Sequence, residues 1–394
     1  MRSVLISGAS IAGPATAYWL QRAGFTVTVV ERAPAVRGGG YPIDVRGTAV
    51  EVVRRMGLLP ELLKVQTDSR HLTFLGPDGG TVAVLDPHAV AGSVAGRDLE
   101  VRRGDLAAGL YGLVRDQVEF RFGDAVETVV QTGTGAEVTF MSGQRRTFDL
   151  VVGADGMHSQ TRHRSFGPEE HFHRYLGYCF ALFTVPNTYG MHRELTMWNA
   201  PGQAAALYAV GERRDELQAF LTFHQPQMPT GALRDRKAQR DLVERAFAGA
   251  GWEVPVLLTA LRGADDLFFD TAAQIRMPHW SRGRVVLVGD AAYAPSFLTG
   301  QGTSLALVGA YLLAYALDAE PDIDRALVDY EHRMRPFVTA NQALVNNGAA
   351  TLFPVTEKAL HQRNARLQKL ISMPTPAPRP AHSAVQLPDF GVRA

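Results

Sequence analysis

The chain has little cysteine, little lysine and almost no net charge. Its one cysteine, Cys179, leaves no partner for an intramolecular disulfide and excludes a cysteine metal cluster. That usage fits a reducing compartment, and the expected location is cytoplasmic. A net charge of +1 over 394 residues, with no segment that concentrates basic side chains, gives no electrostatic footprint for nucleic acid. Lysine is confined to Lys64, Lys237, Lys358 and Lys369 while arginine is abundant, a coding bias that carries no chemistry. The longest apolar helical run, Leu305 to Leu317, falls short of the ~20 residues of a membrane span, so no membrane partner is expected. There is no internal repeat and no metal-ligand spacing, and no metal is expected.

What is present is an ordinary globular composition, 46% apolar and 20% charged, and enough length for one large core or two modest ones. Met1-Arg2 and the apolar residues after it could pass for a secretory leader. Cleavage there would remove the first strand and its glycine loop and orphan Gly24–Val27, so the segment is read as retained.

Val4-Leu5-Ile6 reads as a buried strand, Gly8-Ala-Ser-Ile-Ala-Gly13 as a turn, and Pro14 to Arg22 as a helix closed by Gly24. Proline suits a helix start because its missing N–H has no intrahelical partner there. Phe25 to Glu31 is then a second strand ending in an acid, 23 residues after Gly8. This is the spacing of a β-α-β unit whose helix start holds a pyrophosphate and whose acid binds a ribose. Ser10 stands where the middle glycine of G-x-G-x-x-G belongs, and its hydroxyl could itself donate to a phosphate. Two other readings stay open at this point: a plain tight turn, or a nucleophile elbow with Ala12 in place of the last glycine of G-x-S-x-G. Against the elbow, that motif belongs after several strands rather than the first.

Two later segments share the strand–Gly–Asp pattern, in which an acid at a strand's carboxyl end faces the ligand crevice. They are Asp149 to Arg162, with Gly-Ala-Asp155-Gly156, and Gly283 to Ser304, with Gly289-Asp290 and Gly300-Gln301-Gly302. With these three motifs in this order, residues 3 to 345 resemble the single-component (class A) FAD-dependent aromatic monooxygenases, the p-hydroxybenzoate-hydroxylase-like enzymes. The resemblance is greatest to the short tetracycline-inactivating type.

The resemblance implies that Gly8, Ser10 and Gly13, with Ile11 and Ala12 between them, cradle the FAD pyrophosphate, and that Glu31, beside Arg32, holds the adenosine ribose. It places Asp290 on the ribityl chain, Gly300, Gln301 and Gly302 beside the isoalloxazine, and Gly289, Pro295 and Thr303 around them. Asp155 and Gly156 would serve FAD and a transient NAD(P)H together. Arg103, opening an R-x-x-L helix start, would reach the flavin, and Arg102 is read as solvated surface. Arg46 follows the Gly38-Gly39-Gly40 loop where the family places an arginine over the flavin, and it is the one candidate catalytic residue; the alternative is an exposed arginine at a helix start. Tyr293 and Ser304 stand where the family usually has histidine and asparagine. The W-x-W-x-I-P signature of flavin halogenases is missing.

A helix from Thr303 to Leu317 would aim its positive end at the flavin N1/C2 carbonyl, where reduced flavin carries its charge, unless it is simply a core helix. By the same resemblance NAD(P)H reduces FAD, O2 adds at C4a, and the hydroperoxide attacks an electron-rich carbon in a pocket that must be dry. No second complete dinucleotide loop exists, because Gly302 is followed by Leu305 and not glycine at that spacing, so nicotinamide binding would be transient.

The expected architecture is α/β: a Rossmann-like FAD-binding domain in three segments (1–70, 96–170 and 271–345) and a substrate-binding β-sheet domain inserted between them (71–95 and 171–270). A helix at 346–371 and a proline-rich end at 372–394, extended or disordered, would follow. The hairpin 71–85 turns at Gly76 to Gly80, and strands are expected at Tyr178–Thr184, Leu195–Trp198, Ala205–Val210 and Leu217–His224. Phe180, Met197, Trp198, Tyr208, Phe223 and His224 are candidate substrate contacts, each with plain core as the alternative, and Arg213 is a further polar candidate. Arg236 to Ala248 reads as an amphipathic surface helix, and residues 324–370 as further helices. The expected activity is hydroxylation of an electron-rich aromatic, polycyclic or polyketide-like small molecule of secondary metabolism by a monomer or homodimer. Baeyer–Villiger, epoxidation or oxidase chemistry on the same scaffold, a Ser10 hydrolase and a non-catalytic flavin binder are the alternatives.

Overall fold

The computed structural model describes residues 2–210, 214–372 and 377–390; Arg213 lies outside them. The fully buried Val4-Leu5-Ile6 forms the strand Ser3–Ser7, an inner strand of a six-stranded sheet. Across that sheet the order is Ser281–Arg282, Val285–Leu287, Leu150–Gly153, Ser3–Ser7, Thr26–Glu31 and Glu119–Phe122. All pairs are parallel except the first, which is antiparallel. The strands that precede the three glycine–acid motifs are therefore direct neighbours, and their carboxyl ends open on one edge of the sheet.

Two helices pack on this sheet and on each other. Ala12–Arg22 starts two residues earlier than Pro14. Gly302–Ala319 is apolar all round, with a mean hydropathy of 1.3 over 18 residues, long enough by length and composition to cross a membrane. It is longer than the run expected from sequence, and 72% of it is buried between Ala12–Arg22 and Ile323–Gln342, which is what an all-round apolar helix in a protein core requires.

The second body is a seven-stranded sheet in the order Phe268–Ile275, His173–Pro186, Glu216–His224, Gln203–Tyr208, Glu194–Ala200, His71–Leu75 and Thr81–Leu85. The hairpin joins it by a parallel pairing of Leu72 with Leu195. Because side chains alternate along a strand, the sheet has two distinct faces. Cys179, Phe183, Leu221, Phe223 and Trp198 point one way, into a cluster closed by the helices Arg236–Ala246 and Val254–Gly263. Tyr178, Phe180, Phe220 and His224 belong to the other face, towards the Phe297–Thr299 turn and the helix Val345–Leu352.

Sequence reasoning passed over the three-stranded antiparallel sheet of Val126–Gln131, Ala136–Phe140 and Arg145–Phe148, which packs through Val138 and Phe140 on Leu5 and Val151. Its middle strand, Ala136–Phe140, does alternate apolar and polar residues, with Ala136, Val138 and Phe140 buried, so this hairpin was legible and was overlooked. The proline-rich end also departs from expectation. Residues 377–390 hold one 3-10 turn, Pro380–Ser383, and are tied down: Thr48 Oγ1 donates to the Val385 carbonyl (3.0 Å), Asn341 Nδ2 to that of Ala381 (2.8 Å), and Phe390 stacks on Trp19 at 5.2 Å. Prolines removed donors from this segment, and side chains of the folded body supply them instead.

Candidate functional site

The edge where the three parallel strands end is built from glycines that no other residue could replace. Gly8 has φ +110°, and a Cβ there would lie 2.5 Å from the carbonyl oxygen of Ala154, the residue before Asp155. A Cβ at Gly13 would overlap the carbonyl of Gly8, so the helix start can approach the first strand only without a side chain. A Cβ at Gly289 would stand 2.9 Å from that of Ala12 and 3.5 Å from that of Ala306. Gly289-Asp290 is thus wedged between the first turns of Ala12–Arg22 and Gly302–Ala319. Neither helix start carries a side-chain cap, so their first-turn N–H groups face the crevice without a protein acceptor of that kind.

Around this floor the sequence candidates separate. Ile11 and Ala12 are buried in the turn, and Ser10 is exposed, its Oγ accepting from Arg103 at 3.1 Å. No histidine lies at hydrogen-bond distance from Ser10 among the described residues, so a hydrolase would lack its base. Glu31 accepts from the backbone N–H of Ala9 (2.9 Å) and Ala33 (2.8 Å), which places its carboxylate under the loop; Arg32 is exposed. The Asp155 carboxylate is committed locally: Ser159 donates to it, as do the N–H (2.9 Å) and hydroxyl (3.0 Å) of Thr161. Gly156, at φ +82°, has nothing within 4 Å of its missing side chain.

Arg46 is 7% exposed, which overturns the alternative of an arginine in solvent. Its guanidinium pairs with Asp44 at 2.7 Å, and a Cβ on Gly300 would come within 3.2 Å of it. Ser304, the departure from the family's asparagine, accepts from the Arg46 backbone N–H at 3.1 Å and so fixes the start of the next helix. Burial pushes the Asp44 carboxyl up despite the arginine. Arg102 is likewise not solvated surface: it is half-buried and donates to the Val210 carbonyl at 3.1 Å. Tyr293, the other departure, fills the core, its hydroxyl 3.0 Å from that of Tyr330 and its ring 4.7 Å from Trp280.

Two polar side chains at the crevice have no protein partner among the described residues. Gln301 is fully buried with both amide atoms unpaired. The Asp290 carboxyl accepts no hydrogen bond among the described residues, and burial, reinforced by Asp270, pushes it up to about 6. Buried polar atoms normally find partners, so the enclosed amide of Gln301 is the exception here, while Asp290 is half-buried and open to the crevice. Pro295 accepts from Gln274 at 3.1 Å, and Thr303 is half-buried at the helix start.

Above the crevice stands an aromatic cluster. Phe297, from the loop between Asp290 and Gly300, lies 4.5 Å from Phe180 and 5.6 Å from Phe220, and Phe268 is 5.9 Å from Phe180. Phe180 therefore lies on the face of the sheet that meets the Phe297 loop. His224 and Tyr208 share its face; His224 packs edge-on to Tyr178 at 5.5 Å, and Tyr208 accepts from Ser69 at 3.2 Å. Trp198 and Phe223 do not: each lies on the helix-covered face, Trp198 donating to the Pro77 carbonyl (3.2 Å) and Phe223 packing on Phe247. Met197 faces the right way but packs with Leu72 and Leu367, beneath the helix Glu357–Leu370. Met197 and Trp198 are consecutive in a strand, so both could never have faced the crevice.

Sequence reading missed Tyr41, Phe220, Phe268, Phe297 and the tie between His158 and the second sheet. His158 lies 2.9 Å from Glu169 and 3.3 Å from Asp270, and hydrogen bonds to Asp270 and then Glu169 raise it to about 10. Strand parity would have found Phe220 and Phe268, whereas Tyr41 and His158 lie in loops whose course nothing local dictates.

Comparison with known proteins agrees with this geometry. A family model described as "FAD binding domain" matches residues 1–344. An uncharacterized protein of Mycobacterium tuberculosis is 41% identical over 360 residues, covering 91% of this chain and 96% of its own. A flavin-dependent monooxygenase from an unknown prokaryotic organism is 34% identical over 394 residues, covering 99% of each. Among solved structures, tetracycline destructase Tet(55) superposes with a TM-score of 0.85 at 32% identity over 99% of both chains. Sequence, fold and an edge built for a dinucleotide converge, and the chain belongs to the FAD-binding-domain family of flavin-dependent monooxygenases, as an FAD-dependent oxidoreductase.

Proposed function

We propose that this enzyme uses NAD(P)H and O2 to hydroxylate an electron-rich, fused-ring aromatic or polyketide-like small molecule. The observation that carries the substrate class is the breadth of the aromatic wall, Phe180, Phe220, Phe268 and Phe297, which faces the crevice over several strands. One structural relative, tetracycline destructase Tet(55), is named for tetracycline, a fused four-ring compound.

The residues present fit FAD. Gly8, Ser10 and Gly13 with the uncapped first turn would take the pyrophosphate, Arg103 would reach over it, and Glu31 would hold the ribose. Asp290, unpaired, would accept from the ribityl hydroxyls, and Gln301 with the start of Gly302–Ala319 would meet the ring. The bound cofactor would supply the redox chemistry, taking a hydride from the nicotinamide and activating O2. The chain's own part is positional and electrostatic. Arg46, fixed by Asp44 and Ser304, keeps a positive charge beside Gly300, and the helix start adds its dipole, both favouring negative charge on the ring. The phenylalanine wall excludes water. The domain limits follow the same reading, with residues 71–95 and 171–270 expected as the substrate body and its edge strand Phe268–Ile275 carrying it on to 275, and a cytoplasmic monomer or homodimer accords with it.

The test is NAD(P)H consumption by FAD-loaded protein with tetracycline and with one-ring phenols. Consumption stimulated by fused-ring compounds supports the reading. Stimulation by one-ring phenols alone would remove the substrate class, and hydrogen peroxide as the sole product would remove the hydroxylase.

A further inference from the structure

Among the described residues Tyr41 is an aromatic that reaches across the crevice from the loop between the strands Thr26–Glu31 and Pro42–Val45, and no motif assigns it. It follows Gly38-Gly39-Gly40, of which Gly39 and Gly40 have φ +65° and +92°. Nothing lies within 4 Å of a Cβ on Gly38 or Gly39, so the loop's approach is free on that side. Its other side is seated on the start of the helix Arg103–Gly112. There Gly104 N donates to the Gly39 carbonyl (2.8 Å) and Arg103 N to that of Tyr41 (3.1 Å), and a side chain on Gly104 would overlap the Gly39 backbone. The side chain of the same Arg103 donates to Ser10, so one arginine links the Tyr41 backbone to the pyrophosphate turn.

From there its ring lies over Phe268 of the second sheet, centroids 6.2 Å apart and planes at 28°. Phe268 is 41% exposed, the open end of the aromatic wall. Burial raises the Tyr41 phenol, and the charges that act on it are Arg103, which opposes, and Asp290 and Asp270, which reinforce. The side chain is within reach of the charges of Arg103, whose guanidinium contacts the Ser10 turn, and of Asp290, so a molecule laid from Ser10 to Asp290 would pass near it.

We propose that Tyr41 is a cofactor-binding residue, its ring closing the crevice against Phe268 over the middle of the bound FAD. This rests on the FAD placement above. A tyrosine suits the position, since its two side-chain torsions cost little entropy to fix and its ring covers apolar area while its hydroxyl stays among charges.

The experiment measures FAD release from the reconstituted holoprotein after dilution, read as the rise of free-flavin fluorescence. Tyr41→Ala and Phe268→Ala each release FAD about two- to tenfold faster, the worth of one aromatic pair, while Tyr41→Phe keeps the slow release. Unchanged release in both alanine variants, with normal FAD uptake, overturns the role of Tyr41 and leaves the cofactor site standing. Tyr41→Phe as fast as Tyr41→Ala overturns the assignment to the ring. Failure of the unaltered protein to take up FAD would overturn the cofactor placement itself.

Discussion

At Gly13 the carbonyl of Gly8 occupies the volume that a Cβ would need, whereas Ser10 is exposed and only accepts a hydrogen bond from Arg103. The two positions look alike in G-x-S-x-x-G, yet one is a packing constraint and the other a contact. Gly13→Ala is expected to destabilise the fold by about 1–3 kcal/mol, as overpacking does, and to abolish FAD binding; thermal unfolding and flavin content check both. Ser10→Ala should leave the melting temperature unchanged within the ±0.5 kcal/mol of an exposed site and retain FAD with at most a few-fold weaker affinity. The spacing in sequence was sufficient to find this loop, because close helix–strand approach leaves glycine as the only choice. It was insufficient at Tyr293, where a residue inside a motif turned out to be core filling between Trp280 and Tyr330.

Among elements, the second sheet shows what a pattern of apolar residues leaves undecided. Its strands are apolar on both faces, so hydrophobicity alone does not say which side meets the crevice; only register against a neighbour does. Phe180→Ala should chiefly raise KM or uncouple NAD(P)H consumption, whereas Phe223→Ala should cost about 3–5 kcal/mol of stability with little effect on KM in the remaining folded enzyme. Calorimetry and steady-state kinetics on the pair separate the faces. The tie between the Gly156-Met157-His158 loop and the strand Phe268–Ile275 has its own pH signature. His158 is raised to about 10, so its two ion pairs contribute fully below its ordinary value of 6.5 and are lost as pH rises through 10. The gap in melting temperature between the unaltered protein and His158→Gln should shrink steadily over that window; a gap constant from pH 6 to 10 would contradict the pairing. Because His158 is half exposed, the gap is expected to be modest.

For the whole molecule, the α/β class and the three motif strands were legible in sequence because each motif strand is apolar and runs into a glycine; most of the inserted sheet was legible from its apolar strand-like runs, but its edge strand Phe268–Ile275 was not. The seated end at 377–390 was not, since it is held by contacts with distant residues rather than by local pattern, whereas the three-stranded sheet at 126–148 was overlooked although Ala136–Phe140 alternates and leads into a Ser142-Gly143 turn. Removing residues 377–394 takes away the Phe390–Trp19 stack and the Arg55–Asp389 pair at 3.1 Å, and with them the carbonyls that accept from Thr48 and Asn341. The truncated chain should melt several degrees lower, at about 2–4 °C per kcal/mol lost. The central claim, that this crevice inserts oxygen into an aromatic, is tested most directly by turnover of the FAD-loaded enzyme with NAD(P)H and a fused-ring substrate under 18O2, followed by mass spectrometry. The account predicts one labelled oxygen in the product and none from solvent water. An unlabelled or oxygen-free product, with the label recovered as hydrogen peroxide, would contradict it.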